Sequence, residues 1–181
     1  RGLARCQGFS SRTGPVRSNS RRCWLGNGLS LTGAAGETFA LLGESGCGKS
    51  ATAQGIMRLL PAAGRMRGGR VLVAGEEVLR LSEAATRQVR GGRMAMIFQE
   101  PGTSLNPVLT VGLQIGEALD LHRNLRGEPA RQRMIELLRQ VGIGDPERRL
   151  GEYPFQLSGG MKQRVMIAMA LAGEPELLIA D

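Results

Sequence analysis

The sequence predicts an α/β fold, and three observations carry this prediction. A glycine-rich turn at residues 43–50 separates an apolar run at 38–42 from a stretch with helical character. Farther along the chain, short apolar runs alternate with amphipathic stretches. The last run, at 177–180, is continuously apolar and precedes Asp181, which is typical of a buried parallel strand that delivers an acid to the sheet edge.

The predicted elements follow one another along the chain. Strands are expected at residues 38–42, 70–74, 94–99 and 177–181, and helices at 48–60, 82–89, 111–122, 129–141 and 158–171. Pro61 would stop the first helix, and Ser82 would cap the second. A turn-rich passage occupies 101–107. In the helix at 129–141, apolar residues at helical spacing predict core packing: Met134, Leu137, Leu138 and Val141.

The turn at residues 43–50 is a complete phosphate-binding loop of the pattern G-x-x-x-x-G-K-S/T. Glycines let the backbone aim successive N–H groups at phosphate oxygens, and the following helix points its positive end at the same place. Lys49 supplies a positive charge, and the Ser50 hydroxyl can bind Mg²⁺. The alternative is a glycine-rich turn without a ligand. The predicted nucleotide contacts are Gly43, Glu44, Ser45, Gly46, Cys47, Gly48, Lys49 and Ser50.

A second anion site is predicted at the start of the helix at 158–171. Ser158 is a suitable N-cap, and the two glycines after it expose backbone N–H groups. Taken alone, this segment could be only a capped amphipathic helix. Residues 157–163 nevertheless resemble the signature motif of ATP-binding cassette (ABC) ATPases. The resemblance implies ATP held between two subunits, contacted by Ser158, Gly159, Gly160, Met161, Lys162 and Gln163.

Two further residues occupy positions that the resemblance makes functional. Gln99, at the end of an apolar run, resembles the glutamine that reaches Mg²⁺ and the attacking water, and Asp181 resembles the Walker B carboxylate. The resemblance therefore implies catalytic roles for both and a Mg²⁺ site formed by Ser50, Gln99 and Asp181. It also implies a P-loop NTPase fold, with a helical subdomain inserted at about residues 100–154.

Other catalytic parts of the resembled family have no counterpart in these 181 residues. The family places a water-polarising glutamate directly after the Walker B aspartate and a switch histidine after one more strand. The only histidine, His122, precedes the signature and is expected to be a solvated helix residue. We therefore expect this polypeptide by itself to bind ATP with little turnover.

The net charge of +8 does not indicate a nucleic-acid partner. Residues 1–36 contain six arginines and no acid, so the rest of the chain is nearly balanced, and only 3% of the residues are aromatic. Residues 1–35 are predicted to be a disordered basic segment, and residues 36–181 a partial ABC ATPase domain. Phe9 and Trp24 are the only aromatic residues in that segment that could stack on adenine.

Residues 99–107 (Q-E-P-x-x-S-L-N-P) and 153–161 (Y-P-x-Q-L-S-G-G-M) resemble the dipeptide, oligopeptide and nickel importer branch of the family. This resemblance implies an energy-coupling ATPase at the cytoplasmic face of the inner or plasma membrane. Its partners would be a second ATPase subunit, identical or paralogous, membrane permease subunits and, indirectly, an extracytoplasmic solute-binding protein. Two alternatives stay open: a nucleotide-binding chain without turnover, and an ABC-type protein that acts on nucleic acid.

Overall fold

The computed structural model describes residues 4–9, 29–61 and 68–181. The chain divides into two compact units, Arg1–Thr86 together with Asp181, and Arg87–Ala180. Residues 36–181 are predicted from sequence to be one domain with a helical insertion. The second unit instead groups that helical region with the strand before it and with the helix and strand after it.

The first unit contains four strands: β1 (Ala4–Phe9), β2 (Leu29–Gly33), β3 (Arg70–Val73) and β4 (Glu76–Glu77). They form an antiparallel sheet in the order β2-β1-β3-β4. The strand predicted at 70–74 is confirmed, one residue shorter. A two-residue turn joins β3 to β4, and both its residues, Ala74 (φ 48°) and Gly75 (φ 85°), have the positive φ that matches the twist of the strands.

Two of these strands correct the prediction of a disordered segment at residues 1–35. β1 pairs with both β2 and β3, so Cys6 lies opposite Leu31 on one side and Val71 on the other. β2 is only five residues long, too short for its alternation of half-buried and exposed side chains to stand out. These strands are stabilised by pairing with distant parts of the chain, which the local sequence pattern does not reveal. Of the candidate adenine-stacking residues, Trp24 lies outside the described residues, and only the backbone of Phe9 is described.

The apolar run at residues 38–42 does not form the predicted strand. It pairs with no strand among the described residues, and Phe39, Leu41 and Leu42 are exposed, Leu42 by 89%. An apolar run becomes a strand only where a neighbouring strand supplies its hydrogen bonds. No described strand does so for this run.

Helix α1 (Lys49–Ile56) ends four residues before the predicted position. Arg58 takes the left-handed conformation (φ 54°) that commonly closes a helix, and the Leu59 N–H completes the last turn with a 2.7 Å hydrogen bond. The Arg58 guanidinium donates to the Leu81 carbonyl at 2.8 Å and to the Thr86 hydroxyl. These side-chain bonds hold the end of α1 where a glycine would be more usual.

Helix α2 (Glu83–Gly92) confirms the helix predicted at 82–89. The Ser82 hydroxyl accepts a 3.2 Å hydrogen bond from the Ala85 N–H, as an N-cap should. Helical dihedral angles stop at Arg90 (ψ 124°) and Gly91 (φ 85°), so the regular helix ends where the sequence predicts.

The second unit is built mainly from helices: α3 (Pro101–Ser104), α4 (Val111–Arg123), α5 (Gly127–Gln140), α6 (Pro146–Arg149) and α7 (Gly159–Ala172). The three long helices confirm the predictions at 111–122, 129–141 and 158–171. They share a core of buried residues that includes Leu105, Val111, Ile115, Leu119, Leu137, Leu138, Val165 and Ala168. Met134 and Val141 pack against this core, as predicted.

Within the described residues, no helix combines the length and apolarity that crossing a bilayer requires.

Strands β5 (Met94–Ile97) and β6 (Leu177–Ala180) pair in parallel in the second unit. They confirm the strands predicted at 94–99 and 177–181, although both are shorter. β6 is not fully buried as expected, because Leu178 is 42% exposed. The reason is that β5 is the only strand paired with β6 in the described part of the chain.

His122 is not the solvated residue that the sequence suggests. Its ring lies against the backbone of Gly91 and Gly92, so closely that a Cβ on Gly91 would overlap it. Partial burial lowers the pKa of His122 below its usual value. Gly173, just after α7, approaches the Gly91 carbonyl closely enough that no side chain fits between them. The end of α4 and the end of α7 therefore both pack on the chain that leads into β5.

Candidate nucleotide-binding site

The predicted phosphate loop leads directly into α1 in the first unit. Gly46 (φ 82°) and Gly48 (φ 100°) have backbone conformations that side chains rarely tolerate. Gly48 is also the N-cap of α1. The first N–H groups of a helix have no acceptor within the helix and point toward the preceding loop. The loop is therefore shaped to present backbone donors to an anion.

A third glycine is fixed by close packing inside the loop. A Cβ on Gly43 would lie 2.6 Å from the Cys47 sulfur, which is shorter than any normal contact. The Cys47 N–H also donates to the Glu44 carbonyl at 3.3 Å, so this part of the loop turns back on itself. A side chain at position 43 would therefore require the Cys47 side chain to move.

The loop wraps around the ammonium group of Lys49. Lys49 Nζ donates to the Gly43 carbonyl at 2.7 Å and to the Glu44 carbonyl at 2.8 Å, and it lies 3.6 Å from the Cys47 sulfur. These bonds hold a positive charge at the loop. The first N–H groups of α1 point toward the same loop. A cation and backbone donors in one place are suited to a polyphosphate.

Ser50 and Asp181 lie together although 131 residues separate them in the chain. The Ser50 hydroxyl donates to Asp181 Oδ1 at 2.7 Å, and both residues belong to the first unit. The structure thus brings together two of the three predicted metal ligands. A hydroxyl and a carboxylate oxygen fit Mg²⁺, which usually takes only one or two carboxylates and completes its shell with phosphate and water oxygens.

No group of three or more His, Cys, Asp or Glu side chains that could hold a metal occurs among the residues that the structure describes. Such a group is not expected for a Mg²⁺ site of this kind, because nucleotide oxygens replace protein ligands. The Ser50 and Asp181 pair therefore fits a metal that arrives together with a nucleotide.

Gln99, the third predicted metal ligand, belongs to the second unit. It is exposed and lies two residues beyond the end of β5, and Asp181 lies one residue beyond the end of β6. Ile97 and Ala180 are paired in the parallel ladder, so both side chains follow the carboxyl ends of adjacent strands. The catalytic role of Gln99 stays a prediction.

The predicted signature residues form the exposed start of α7. Ser158 is the N-cap, and its hydroxyl accepts a 3.3 Å hydrogen bond from the Met161 N–H. A Cβ on Gly159 or Gly160 would meet no atom within 4 Å. Packing within the chain therefore does not require glycine at either position. Glycine at both positions would be explained if another molecule approaches the backbone closely from outside.

Arg58 belongs to this arrangement, although it is not among the predicted site residues. Arg58 fixes the far end of α1, the helix whose start forms the phosphate loop. Nothing in the local pattern distinguishes Arg58 from a surface cation, because its partners lie more than 20 residues away.

Comparisons with known proteins point to one family. A family model described as ABC transporter matches residues 26–181. The chain is 58% identical over 147 residues to the peptidoglycan transport ATP-binding protein YejF of Agrobacterium fabrum, covering 81% of this chain and 27% of that protein. It is 52% identical over 155 residues to the dipeptide transport ATP-binding protein DppD of Bacillus subtilis, covering 85% of this chain and 46% of that protein. The chain spans less than half the length of these two relatives.

A solved structure supports the fold. The dimeric ATP-binding cassette MJ0796, in a post-hydrolysis state bound to ADP and Pi, matches with a TM-score of 0.81 and 26% identity. The match covers 98% of this chain and 73% of that one. The predicted P-loop NTPase fold is therefore confirmed, and the chain belongs to the ABC transporter family.

Proposed function

We propose that this chain is the ATP-binding part of an energy-coupling subunit of an importer for peptides or a related solute such as nickel. The observation that carries the proposal is the hydrogen bond between Ser50 and Asp181, which places a hydroxyl and a carboxylate suited to Mg²⁺ at a loop suited to phosphate. The solute class is supported by relatives that are named for dipeptide and peptide transport.

Each residue of the site has a role in this proposal. Lys49 and the N–H groups of residues 43–50 bind the β- and γ-phosphates. Ser50 and Asp181, with Gln99, would hold Mg²⁺, which when bound neutralises charge that develops on the phosphates. Gln99 also orients the attacking water.

A second ATPase subunit would complete the site from outside. Its exposed α7 start, Ser158 with Gly159 and Gly160, would face the γ-phosphate, so that ATP closes the pair and hydrolysis reopens it. The dimeric form of the MJ0796 cassette supports this arrangement. The helical region would transmit the motion to membrane permease subunits. These would receive the solute from an extracytoplasmic solute-binding protein. The subunit would therefore work at the cytoplasmic face of the membrane, with no nucleic-acid partner.

Replacing Gly160 with alanine tests this arrangement. Gly160 has no positive φ and open space around it, so alanine should leave stability unchanged or raise it by up to ~1 kcal/mol. The added methyl group would nevertheless obstruct a phosphate that approaches the backbone. We expect ATP hydrolysis and solute uptake by the full-length transporter to fall by at least about tenfold, measured beside thermal unfolding.

The matched control is Gly144→Ala, because Gly144 is also exposed, without positive φ and without a neighbour within 4 Å of its Cβ position. This change should leave hydrolysis and uptake unaltered. If the Gly160 and Gly144 variants were equally active, the start of α7 would not be part of the ATP site.

A polypeptide of residues 1–181 by itself should bind ATP with little turnover. Gln99 and Asp181 are its only residues with a catalytic assignment, and each missing catalytic group is worth roughly 10²–10⁴-fold in rate. The test compares ATP binding and steady-state phosphate release for residues 1–181 and for the full-length protein. Equal turnover by the two would contradict this expectation and the roles assigned to the family residues beyond position 181.

A further inference from the structure

Gln114 is a polar residue on the buried face of α4. Its neighbours on that face are apolar and completely buried: Val111, Ile115 and Leu119. Helical spacing favours another apolar residue at this position. Gln114 is nevertheless only 5% exposed, and Thr86 is the only other buried polar residue in the described part of the chain. A buried amide is costly unless its hydrogen bonds are satisfied, so its partners indicate its role.

The partners of Gln114 are backbone groups of the loop at residues 106–110. Gln114 Nε2 donates to the carbonyls of Asn106 (3.1 Å) and Leu109 (2.9 Å). Gln114 Oε1 accepts from the Asn106 N–H (2.9 Å). One side chain therefore binds both backbone polar groups of Asn106, which holds this residue in a fixed position relative to α4.

The chain that is held at Asn106 comes directly from Gln99. Asn106 lies seven residues after Gln99, and helix α3 occupies four of the six positions between them. α3 lies against α7, and Leu105, which follows α3, is buried in the core of the second unit. The Ser104 hydroxyl also donates to the Glu100 carbonyl at 3.2 Å, next to Gln99. This stretch is therefore ordered by its own contacts.

Strand pairing fixes the other end of the same stretch. Ile97, two residues before Gln99, is paired with Ala180 in the parallel ladder. We call residues 98–105 the Gln99 segment. Each residue adds at most about 3.6 Å of reach, so a segment of this length that is held at both ends leaves Gln99 little freedom to move. Releasing Asn106 would increase that freedom.

We propose that Gln114 is a positioning residue for ATP hydrolysis, which acts by fixing the far end of the Gln99 segment. The inference rests on the proposed function, because it requires that Gln99 orients the attacking water. A misplacement of about 1 Å in a reacting geometry can lower a rate by about a hundredfold. A clamp seven residues away from Gln99 can therefore control hydrolysis without touching the nucleotide.

Gln114→Met tests the proposal in the full-length transporter. Methionine keeps the size of the side chain and removes its hydrogen bonds to the loop. We expect kcat for phosphate release to fall by at least about tenfold. The affinity for MgATP should stay unchanged, because the phosphate loop lies outside the Gln99 segment. Hydrogen exchange should show lost protection of the Asn106 amide, with α4, α5 and α7 still protected.

The matched control is Ile115→Val, a substitution at the next position on the same buried face of α4. It lowers stability by removing a buried methylene group, and it leaves the hydrogen bonds of Gln114 in place. This variant should keep the wild-type kcat and the protection of the Asn106 amide. A kcat that simply follows thermal stability would separate the two variants far less.

A double-mutant cycle asks whether Gln114 acts through Gln99. Gln114→Met should lower kcat in the wild-type background and cause no further loss in a Gln99→Ala background. In a Gly160→Ala background it should cause the same loss as in the wild type, because the start of α7 acts separately. A general loss of stability would lower kcat in every background.

A second variant changes the Gln99 segment without touching the core. One glycine inserted after Gly102 lengthens the segment at a residue with open space around its Cβ position. This insertion should lower kcat as Gln114→Met does, again with unchanged MgATP affinity. The control is one glycine inserted after Gly144, which is also exposed and without close neighbours. Wild-type kcat after the Gly102 insertion would overturn the proposal, whether or not Gln114→Met folds.

The possible failures can be told apart. Wild-type kcat of Gln114→Met protein whose Asn106 amide exchanges freely would overturn the inference and leave the proposed function standing. A further loss of kcat in the Gln99→Ala background, or a loss of MgATP affinity, would do the same, because Gln114 would then act elsewhere. Full hydrolysis by the Gln99→Ala variant would overturn the role of Gln99 and this inference with it.

Discussion

Replacing Lys49 with alanine should weaken ATP binding by about a hundredfold while the fold stays intact. Lys49 Nζ is the positive charge at the phosphate loop, and a hydrogen bond to a charged group is worth about 1.5–3 kcal/mol, or roughly tenfold to a hundredfold in affinity. The same substitution removes the bonds to the Gly43 and Glu44 carbonyls, so the loop loses its own support as well. Both effects lower affinity.

The measurement is titration with a fluorescent ATP analogue beside circular dichroism. Arg80→Ala is the control, since Arg80 is a cation of the same unit whose side chain is 80% exposed and pairs, among the described residues, with Glu77 alone. Surface ion pairs of this kind contribute little. Lys49→Ala protein that keeps native secondary structure and full ATP affinity would refute the phosphate-loop assignment.

Replacing Asp181 with asparagine should remove the dependence of nucleotide binding on Mg²⁺. Asparagine can still accept the hydrogen bond from Ser50, so the local geometry is retained. It lacks the negative charge that a divalent cation requires. In the full-length protein, hydrolysis should fall on the order of a hundredfold, because charge that develops on the phosphates is no longer neutralised.

This prediction is checked by measuring ATP affinity with and without Mg²⁺ and phosphate release at saturating ATP. Asp120→Asn is the control, because Asp120 is an acid on α4 that pairs with Arg126 outside the site. Asp181→Asn protein whose affinity still rises with Mg²⁺ as in the wild type would show that the metal binds elsewhere.

The site was predictable from sequence where its chemistry is local. Residues 43–50 need particular glycines, a lysine and a helix start within eight positions, and in the structure Gly46 and Gly48 have positive φ and Gly43 lies close to the Cys47 sulfur. The meeting of Ser50 and Asp181 is different, because no local pattern spans 131 residues. Only the resemblance to a known family placed them in one site.

The remaining differences come from interactions that a linear pattern does not contain. β1 depends on pairing with β2 and β3, and the run at 38–42 lacks such a partner among the described strands. Arg58 and Gln114 are ordinary polar residues in sequence. Their importance comes from backbone carbonyls that the fold brings within reach. Strand pairing and buried polar contacts are therefore where sequence reasoning about this chain falls short.

We expect a nucleotide and a divalent metal to bind together where the phosphate loop meets Asp181. The most direct test is a crystal structure of the complex with Mn²⁺ and a non-hydrolysable ATP analogue, in which anomalous scattering locates the metal. We predict Mn²⁺ at about 2.0–2.2 Å from Ser50 Oγ, with the Asp181 carboxylate bound directly or through one water and the phosphates against Lys49. Nucleotide and metal bound away from Ser50 and Asp181 would show that these two residues do not form the metal site.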